Sequence, residues 1–477
     1  MHIIDISVFV VYMAAMLMVG FYFLKKNKGL DDYFVGGRNM GSLHIGLSVV
    51  ATDVGGGFSI GLGGLGFLMG ISGSWMLFTG LVGAWLSAVL LIPRIKNMEA
   101  ANKFLTFPQL FGHYYSARTA FIAGIISAVG YIGFTASQML AGAKLAAASF
   151  VTLDIQTALI IMGFIIVVYT VMGGIKAVIY TDTIQWILLM AGLILVGIPL
   201  SYYYIGGMDG ILSSLPEEFL RLDNLSWRTF VNWGITIIPI WFVGMTLYQR
   251  IYASRSEKEA KRAWFVAGLF EYPTMAFMGV TLGMFARVAA EQGHFAYLGY
   301  GDISLMDAEM GLPLLLRTIL PVGLMGLMMS AYFSAIMSTA DSCLMAASGN
   351  VITDLFGKYF RDVKNEKKFL RASQLSTFLI GVLALLLATT MDNVLELMLY
   401  SYAFMVSGLL VPLVGAMFFG VRNAAAAISA MIVGGFTTVI LSETGFAMPL
   451  DLDPNFYGIS ASLLIFIGIH FLSNARK

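Results

Sequence analysis

The chain has 477 residues, of which 58% are hydrophobic and 12% are charged, and its formal net charge is +1. A soluble protein carries about 25% charged residues, so this composition excludes a soluble fold and indicates an integral protein of the lipid bilayer. A net charge this small also argues against nucleic acid as a partner. Cys343 is the only cysteine in the sequence, which rules out a disulfide within the chain.

Apolar runs long enough to cross a bilayer, about 17–25 residues, occur about thirteen times along the sequence. We place them at 3–24, 42–69, 74–93, 119–148, 156–175, 179–204, 231–249, 263–289, 312–347, 371–390, 394–417, 421–442 and 456–473. The segments between them are too short to form a soluble domain. We therefore predict an all-α membrane protein with a single transmembrane domain, 1–477.

The distribution of Lys and Arg predicts the orientation in the membrane. Basic residues are concentrated in the loops after odd-numbered spans, whereas the opposite loops carry mainly Arg221 and Arg228. The first group comprises Lys25, Lys26, Lys28, Arg38, Arg94, Lys96, Lys103, Arg118, Arg250, Arg255, Lys258, Lys261, Arg262, Lys358, Arg361, Lys364, Lys367, Lys368 and Arg371. Because cytoplasmic loops carry the excess of basic residues, we predict a multi-pass protein of the plasma (inner) membrane with its N-terminus outside and its C-terminus in the cytoplasm.

The second span contains ATDVGGGFSIGLGGLG (51–66), which combines many glycines with the carboxylate of Asp53. Glycine at this density weakens a helix, and unwound backbone at membrane depth is tolerated only where it lines a cavity in protein. The GLGGLG and GFSIG segments match two enzyme motifs, but both motifs require a preceding strand, so we predict no enzyme. Close helix packing through small residues and a transporter's binding site are both compatible with this span.

The ninth span contains SAIMSTADSCLMAAS, in which hydroxyl groups surround a carboxylate. Ala335, Ser338 and Thr339 share one helical face. Ser338, Asp341 and Ser342 repeat the same spacing on the next face. Oxygen ligands suit a hard cation, whereas a single hydroxyl in a membrane helix commonly bonds the carbonyl four residues earlier. The whole cluster favours an ion site, since a charge at membrane depth is usually functional.

Four further residues each allow two interpretations. Asp182, in YTDTIQW, either lies at the water interface or contributes to an ion site. The aromatic residues Phe134, Trp241 and Tyr402 either stack on a substrate or pack within the protein.

Three segments, in this order, resemble the sodium:solute symporter family. YFVGGR (33–38) is similar to the family's loop after its first helix, and MGGIKAVIYTDTIQ (172–185) resembles its GG…AV…TD..Q signature. AIMSTADS (335–342) is similar to its sodium-site helix. The resemblance covers nearly the whole chain and implies the inverted-repeat architecture of the leucine transporter.

The resemblance implies a core of ten helices, formed by two inverted repeats of five. In this chain the first repeat would span 42–204 and the second 231–417. The segment 3–24 would be an extra N-terminal helix, and 421–473 would hold two extra C-terminal helices.

The resemblance also implies that Na⁺ is the coupling ion. Its ligands would be the backbone carbonyls of Ala51, Val54 and Ala335 and the hydroxyls of Ser338 and Thr339. A few family members have a second sodium site, and the matching residues of this chain are Asp182, Ser338, Asp341 and Ser342.

The substrate motifs resemble two subgroups of the family. ATD (51–53) and AGAKL (141–145) are similar to bacterial proline carriers, whereas VGGGF (54–58), YQR (248–250) and STADS (338–342) are similar to high-affinity choline carriers. Asp53 stands where the choline carriers place a tryptophan that encloses the substrate. We therefore predict sodium-driven uptake of an amino acid, a betaine or an amine. The predicted substrate-binding residues are Asp53, Gly55, Gly56, Gly57, Phe134, Gln138, Trp241 and Met245.

Other functions stay open at this point. A channel or a solute sensor could use the same architecture, and a symporter could carry a carboxylate, a vitamin or a sugar instead. The expected partners are the sodium ion, a small-molecule substrate and the lipid bilayer. We expect no obligate protein partner.

Overall fold

The computed structural model describes residues 2–26, 30–53, 55–150, 153–357, 366–444, 446 and 448–474. These residues form helices and their connections, with one isolated β-bridge, between Met40 and Ser254. The helices are α1 (Ile3–Lys26), α2 (Leu30–Val35), α3 (Ser42–Asp53), α4 (Gly55–Met69), α5 (Trp75–Leu90), α6 (Ile92–Asn102), α7 (Pro108–Tyr114), α8 (Ala117–Ser149), α9 (Ile155–Gly192), α10 (Ile198–Tyr204), α11 (Gly207–Ser214), α12 (Trp227–Val243), α13 (Met245–Ala253), α14 (Glu257–Leu269), α15 (Ala276–Glu291), α16 (Gly311–Ile319), α17 (Leu324–Asn350), α18 (Glu366–Ala388), α19 (Val394–Phe419), α20 (Ala424–Thr444) and α21 (Pro454–Asn474).

The all-α prediction is confirmed. Within the described ranges, nine helical stretches are long and apolar enough to cross a membrane, or ten if α12 and α13 form one bent span. The bend between α12 and α13 is 41°. The count of about thirteen spans stays a prediction, because several predicted spans are short, polar or interrupted.

Several predicted span boundaries differ from the structure. The predicted span 263–289 is divided into α14 and α15, with extended backbone at Tyr272 between them. The predicted span 312–347 is divided into α16 and α17. Pro321 and Gly323, whose φ is +88°, lie between the two helices, and a proline prevents the preceding residue from continuing a helix. Conversely, α9 continues through the turn that we predicted between 175 and 179. No proline interrupts that stretch, and glycine is tolerated within a helix.

Helix α17 lies at the centre of the molecule. It packs against α1, α8 and α9 and also contacts α3, α4 and α13. All residues from Met328 to Asn350 are buried, although this segment carries hydroxyls and a carboxylate. A helix enclosed on every side must satisfy its polar groups within the protein, so α17 can be a site of polar chemistry.

The GLGGLG segment belongs to α4 and packs against α15. A methyl group added to Gly66 would lie 2.1 Å from the backbone oxygen of Val280, and one added to Gly283 would lie 2.0 Å from that of Gly63. Backbones this close leave no room for side chains at these positions. Helix packing therefore explains these glycines of the apparent enzyme motif.

The YFVGGR segment ends α2 in a turn held by Arg38. Gly36 and Gly37 have positive φ angles of 63° and 79°, which glycine adopts without steric cost. The guanidinium of Arg38 donates to Asp31 at 3.0 Å, to the carboxylate of Glu99 and to a backbone carbonyl of the segment before α7. The motif thus fixes the connection between α2 and α3.

Candidate functional site

The first predicted broken helix is interrupted between α3 and α4. Asp53 is the last residue of α3, and Gly55, with a φ of +26°, is the first residue of α4. Val54, a predicted sodium ligand, lies outside the described residues. The positive φ of Gly55 is not a helical value, so it supports the predicted break at this glycine-rich segment.

The hydroxyl of Thr339 connects the two elements of the predicted sodium site. It donates to the carbonyl of Ala51 on α3 at 2.9 Å and to the carbonyl of Ala335 on its own helix at 3.2 Å. The second bond is the local one expected of a hydroxyl in a membrane helix, whereas the first crosses from α17 to the broken helix. Three of the five predicted ligand oxygens therefore meet at one point.

Gly55 makes this approach possible. A methyl group at this position would lie 2.0 Å from the hydroxyl oxygen of Thr339. The positive φ of Gly55 separately disfavours any residue with a side chain. The sequence at the break is thus fixed both by backbone conformation and by the space that Thr339 needs.

A second polar cluster surrounds the guanidinium of Arg250, which lies on α13 and is fully buried. Its Nε donates to the hydroxyl of Ser48 at 3.1 Å. Its Nη2 donates to the hydroxyls of Thr52 at 2.5 Å and Ser342 at 2.8 Å. The same nitrogen lies 3.5 Å from a carboxylate oxygen of Asp182. This cluster, named here the Arg250 cluster, joins α3, α9, α13 and α17.

The structure corrects the expected position of Arg250. We counted it among the basic residues of a loop, but it has no exposed surface. After the 41° bend at Gly244, every residue of α13 is buried, and Asp182 supplies the opposite charge that a buried guanidinium requires. Asp182 is also fully buried, so the alternative position at the water interface does not hold.

The residues of the predicted second sodium site lie around the Arg250 cluster. Asp182 accepts hydrogen bonds from the hydroxyls of Ser338 and Ser48, so Ser338 faces Asp182 as well as neighbouring Thr339. Asp341 accepts a hydrogen bond from Thr170, and no donor among the described residues reaches its other oxygen. The guanidinium of Arg250 brings a positive charge into this set, which the sequence analysis did not anticipate.

Part of the predicted substrate site lies around Asp53. The hydroxyl of Tyr402 donates to Asp53 at 3.4 Å. The ring of Phe134 contacts that of Tyr402 edge to face, with 5.0 Å between centroids. Tyr131, one turn before Phe134, hydrogen bonds to the hydroxyl and the backbone N–H of Thr246 at 3.0 and 3.1 Å. These contacts connect the first broken helix, α8, α19 and the second break between α12 and α13.

The other predicted substrate residues have different surroundings. Trp241 is fully buried against Trp264, with 6.3 Å between ring centroids, and fills the space beside Gly83. The sulfur of Met245 accepts the N–H of Phe107 at 3.1 Å. These contacts support packing roles for Trp241 and Met245.

The remaining predicted substrate residues lie on the two helices next to Asp53. Gln138 is buried on α8, one turn after Phe134. Gly56 and Gly57 belong to α4.

Glu271 is a site residue that the sequence analysis missed. It lies between α14 and α15, beside Tyr272, whose backbone is extended at φ −135° and ψ 123°. Glu271 is fully buried, and its carboxyl group faces that of Asp53 closely enough for the two to interact. The available signal was a single carboxylate, followed by a proline two residues later, in the apolar run 263–289.

Comparisons with known proteins agree with this geometry. The model of the "Sodium:solute symporter family" matches residues 33–434. The chain is 29% identical over 470 residues to the high-affinity proline transporter of Bacillus subtilis (strain 168), covering 96% of each. It is 26% identical over 470 residues to the sodium/proline symporter of Escherichia coli (strain K12), covering 96% of this chain and 91% of that one.

A solved structure extends the likeness to the fold. The substrate-bound, outward-open state of a Na⁺-coupled sialic acid symporter superposes with a TM-score of 0.79 at 22% identity, covering 98% of both chains. The all-helical architecture, the break beside Thr339 and the family match over most of the sequence agree with one another. The chain therefore belongs to the sodium:solute symporter family, and it is a multi-pass membrane protein that couples the transport of a small organic solute to sodium.

Proposed function

We propose that this symporter imports an amino acid, a betaine or an amine, with sodium bound between the α3–α4 break and α17. The observation that carries the proposal is the hydroxyl of Thr339, which lies within hydrogen-bond distance of carbonyls on both elements. A sodium ion at this point would be coordinated by the hydroxyl oxygen and by the two carbonyl oxygens, and the hydroxyl proton would point away from the ion. Ala51, Val54, Ala335, Ser338 and Thr339 are the proposed ligands.

Sodium at this site would hold the two halves of the transporter in a defined arrangement. In the proposed organisation, α3–α4 belongs to the repeat 42–204 and α17 belongs to the repeat 231–417. A ligand that bridges them favours the conformations in which they are close. The coupling is reciprocal, so the solute must raise the sodium affinity by the same factor by which sodium raises the solute affinity.

The proposed solute class has two supports. Relatives that cover nearly the whole chain are named as proline transporters, and Asp53 offers a carboxylate to an amino group beside the proposed sodium site. The concentration of Lys and Arg in alternate loops supports an N-terminus outside and a C-terminus in the cytoplasm. In that orientation an inward sodium gradient drives import.

Uptake into proteoliposomes under an imposed sodium gradient tests the proposal. We expect Thr339→Ala and Ser338→Ala each to raise the sodium concentration for half-maximal uptake, because each removes an oxygen that the membrane interior cannot replace. The double variant should nearly abolish coupling. Unchanged sodium dependence in a folded double variant would contradict the assignment.

The same helix provides a matched control. The hydroxyl of Ser330 donates to the carbonyl of Gly326 at 2.6 Å, within α17. Ser330→Ala therefore removes a buried hydroxyl from this helix without touching the proposed ligands. Its sodium dependence should equal that of the unmodified protein.

A further inference from the structure

We propose that the transported solute is an organic cation without a carboxylate, and that its ammonium or guanidinium group binds between Asp53 and Glu271. The inference rests on the proposed function and narrows its solute class to amines and guanidines. The two carboxyl groups, named here the carboxylate pair, lie beside the α3–α4 break and the irregular segment between α14 and α15.

The carboxylate pair is enclosed but poorly satisfied. Asp53 is 6% exposed and Glu271 is 0% exposed. Asp53 accepts one long hydrogen bond from Tyr402 at 3.4 Å, and the carboxyl group of Glu271 has no described partner except the carboxyl group of Asp53. Two buried carboxyl groups this close cannot both ionise unless a positive charge lies between them.

Among the basic side chains whose burial is described, none serves this pair. The buried ones of that set are Arg250 and Lys144. Arg250 lies 3.5 Å from Asp182, and Lys144 lies 2.6 Å from both Asp307 and Glu309. The pair is therefore balanced either by a proton shared between the two carboxyl groups or by a cation from outside the protein, and we propose that the solute supplies that cation.

The surroundings of the pair suit an organic cation better than a second sodium ion. Tyr402 and Phe134 form an edge-to-face aromatic pair next to Asp53, and aromatic faces attract ammonium and guanidinium groups. A sodium ion requires a shell of oxygen ligands, whereas the oxygens here come from two carboxyl groups and a phenol.

The charge of the pair also disfavours a zwitterion. The carboxylate of an amino acid or a betaine would lie close to two carboxyl groups, and like charges at short range repel strongly in a low-dielectric site. A solute whose only charged groups are positive avoids this repulsion. It also offers N–H donors to the carboxylate oxygens of Glu271.

Room for Glu271 is provided by a glycine on α5. A methyl group added to Gly80 would lie 2.3 Å from a carboxylate oxygen of Glu271. The side chain of Glu271 therefore lies directly against the α5 backbone. This contact places its carboxyl group between α5 and Asp53.

Thermal unfolding of the purified full-length protein, in sodium and in potassium buffers, tests the inference. The probes are butylamine, 1,4-diaminobutane and guanidinium as cations, L-proline and glycine betaine as zwitterions, and acetate as an anion. We expect the cations, and not the zwitterions or acetate, to raise the unfolding midpoint, and to do so more strongly in sodium. Stabilisation by L-proline or glycine betaine alone, or by none of the probes, would overturn the inference.

Variants separate a direct role from a structural one. Glu271→Gln should weaken cation binding by about 10- to 100-fold, as expected for a lost charge-assisted hydrogen bond, and leave the half-maximal sodium concentration unchanged. Glu257→Gln, at the start of α14, removes a carboxylate that pairs with Lys261 near the surface and should leave both constants unchanged. A shift in sodium affinity with unchanged cation binding in Glu271→Gln would overturn the inference.

The two proposals fail in different ways. Sodium-driven uptake of L-proline that is impaired by Thr339→Ala would keep the proposed function and overturn the cationic solute. Uptake of every probe without sodium dependence would overturn the proposed function and, with it, this inference.

Discussion

Two acidic clusters lie buried beside the same broken helix, and they differ in what balances their charge. In the Arg250 cluster, Asp182 receives hydrogen bonds from two serine hydroxyls and lies 3.5 Å from a guanidinium. In the carboxylate pair, Asp53 and Glu271 face each other, and the described residues supply no positive partner.

The difference separates a structural function from a binding function. In the Arg250 cluster, the negative charge of the buried carboxylate is balanced by the positive charge of the guanidinium. The cluster can therefore hold α3, α9, α13 and α17 together without a ligand. In the carboxylate pair, no described side chain balances the negative charge, so the pair favours conformations or ligands that supply a positive charge. Each prediction below tests one side of this contrast.

The largest effect is expected for Arg250→Met. Removing the guanidinium leaves Asp182 buried without a counter-charge, which should lower the free energy of unfolding by about 3–5 kcal/mol. Thermal unfolding of the purified protein measures this loss. Arg255→Met is the matched control, because Arg255 is exposed, lies in the connection before α14 and pairs with Glu259.

A double variant checks the cause of that loss. Arg250→Met combined with Asp182→Asn removes both charges and should recover most of the stability, because replacing a whole buried pair is often tolerated. A double variant as unstable as Arg250→Met alone would mean that the guanidinium acts through its bonds to Thr52 and Ser342 rather than through Asp182.

The next prediction concerns the sign of the change in stability, which should differ between the two clusters. Asp182→Asn should destabilise the protein, since it leaves Arg250 unpaired. Glu271→Gln should stabilise it in the absence of solute, by about 1–3 kcal/mol, because the amide does not repel the carboxylate of Asp53 and can donate an N–H to it. Unfolding midpoints for both variants, measured without solute, decide the point. Destabilisation of similar size in both would remove the contrast between the clusters.

Sequence reasoning recovered the parts of this architecture that depend on local pattern. The glycines around Gly55 predicted the helix break, and the spacing of Ala335 and Thr339 predicted their shared face. Thr339 does meet the Ala51 carbonyl, and the family resemblance had implied that pairing.

The parts that it missed depend on contacts distant in the sequence. Arg250 follows an apolar span and is typical of a loop residue by position, and only the structure shows that it is buried beside Asp182. Glu271 has no charged neighbours in the sequence to indicate a site, since no other charged residue lies between Arg262 and Arg287. Its partner, Asp53, lies more than 200 residues away, and no periodicity connects the two.

The smallest effect is expected for Asp341→Asn, which tests the predicted second sodium site. One oxygen of Asp341 accepts a hydrogen bond from Thr170, which an asparagine oxygen can also accept, so stability should change little. Arg250 already places a positive charge beside Asp182, Ser338 and Ser342. We therefore expect a single sodium ion per solute in both the unmodified protein and the variant, measured as the ratio of sodium to solute fluxes in proteoliposomes. A ratio of two that falls to one in Asp341→Asn would mean that the guanidinium leaves this set during transport and that sodium takes its place. The Arg250 cluster would then bind a ligand, as we propose for the carboxylate pair.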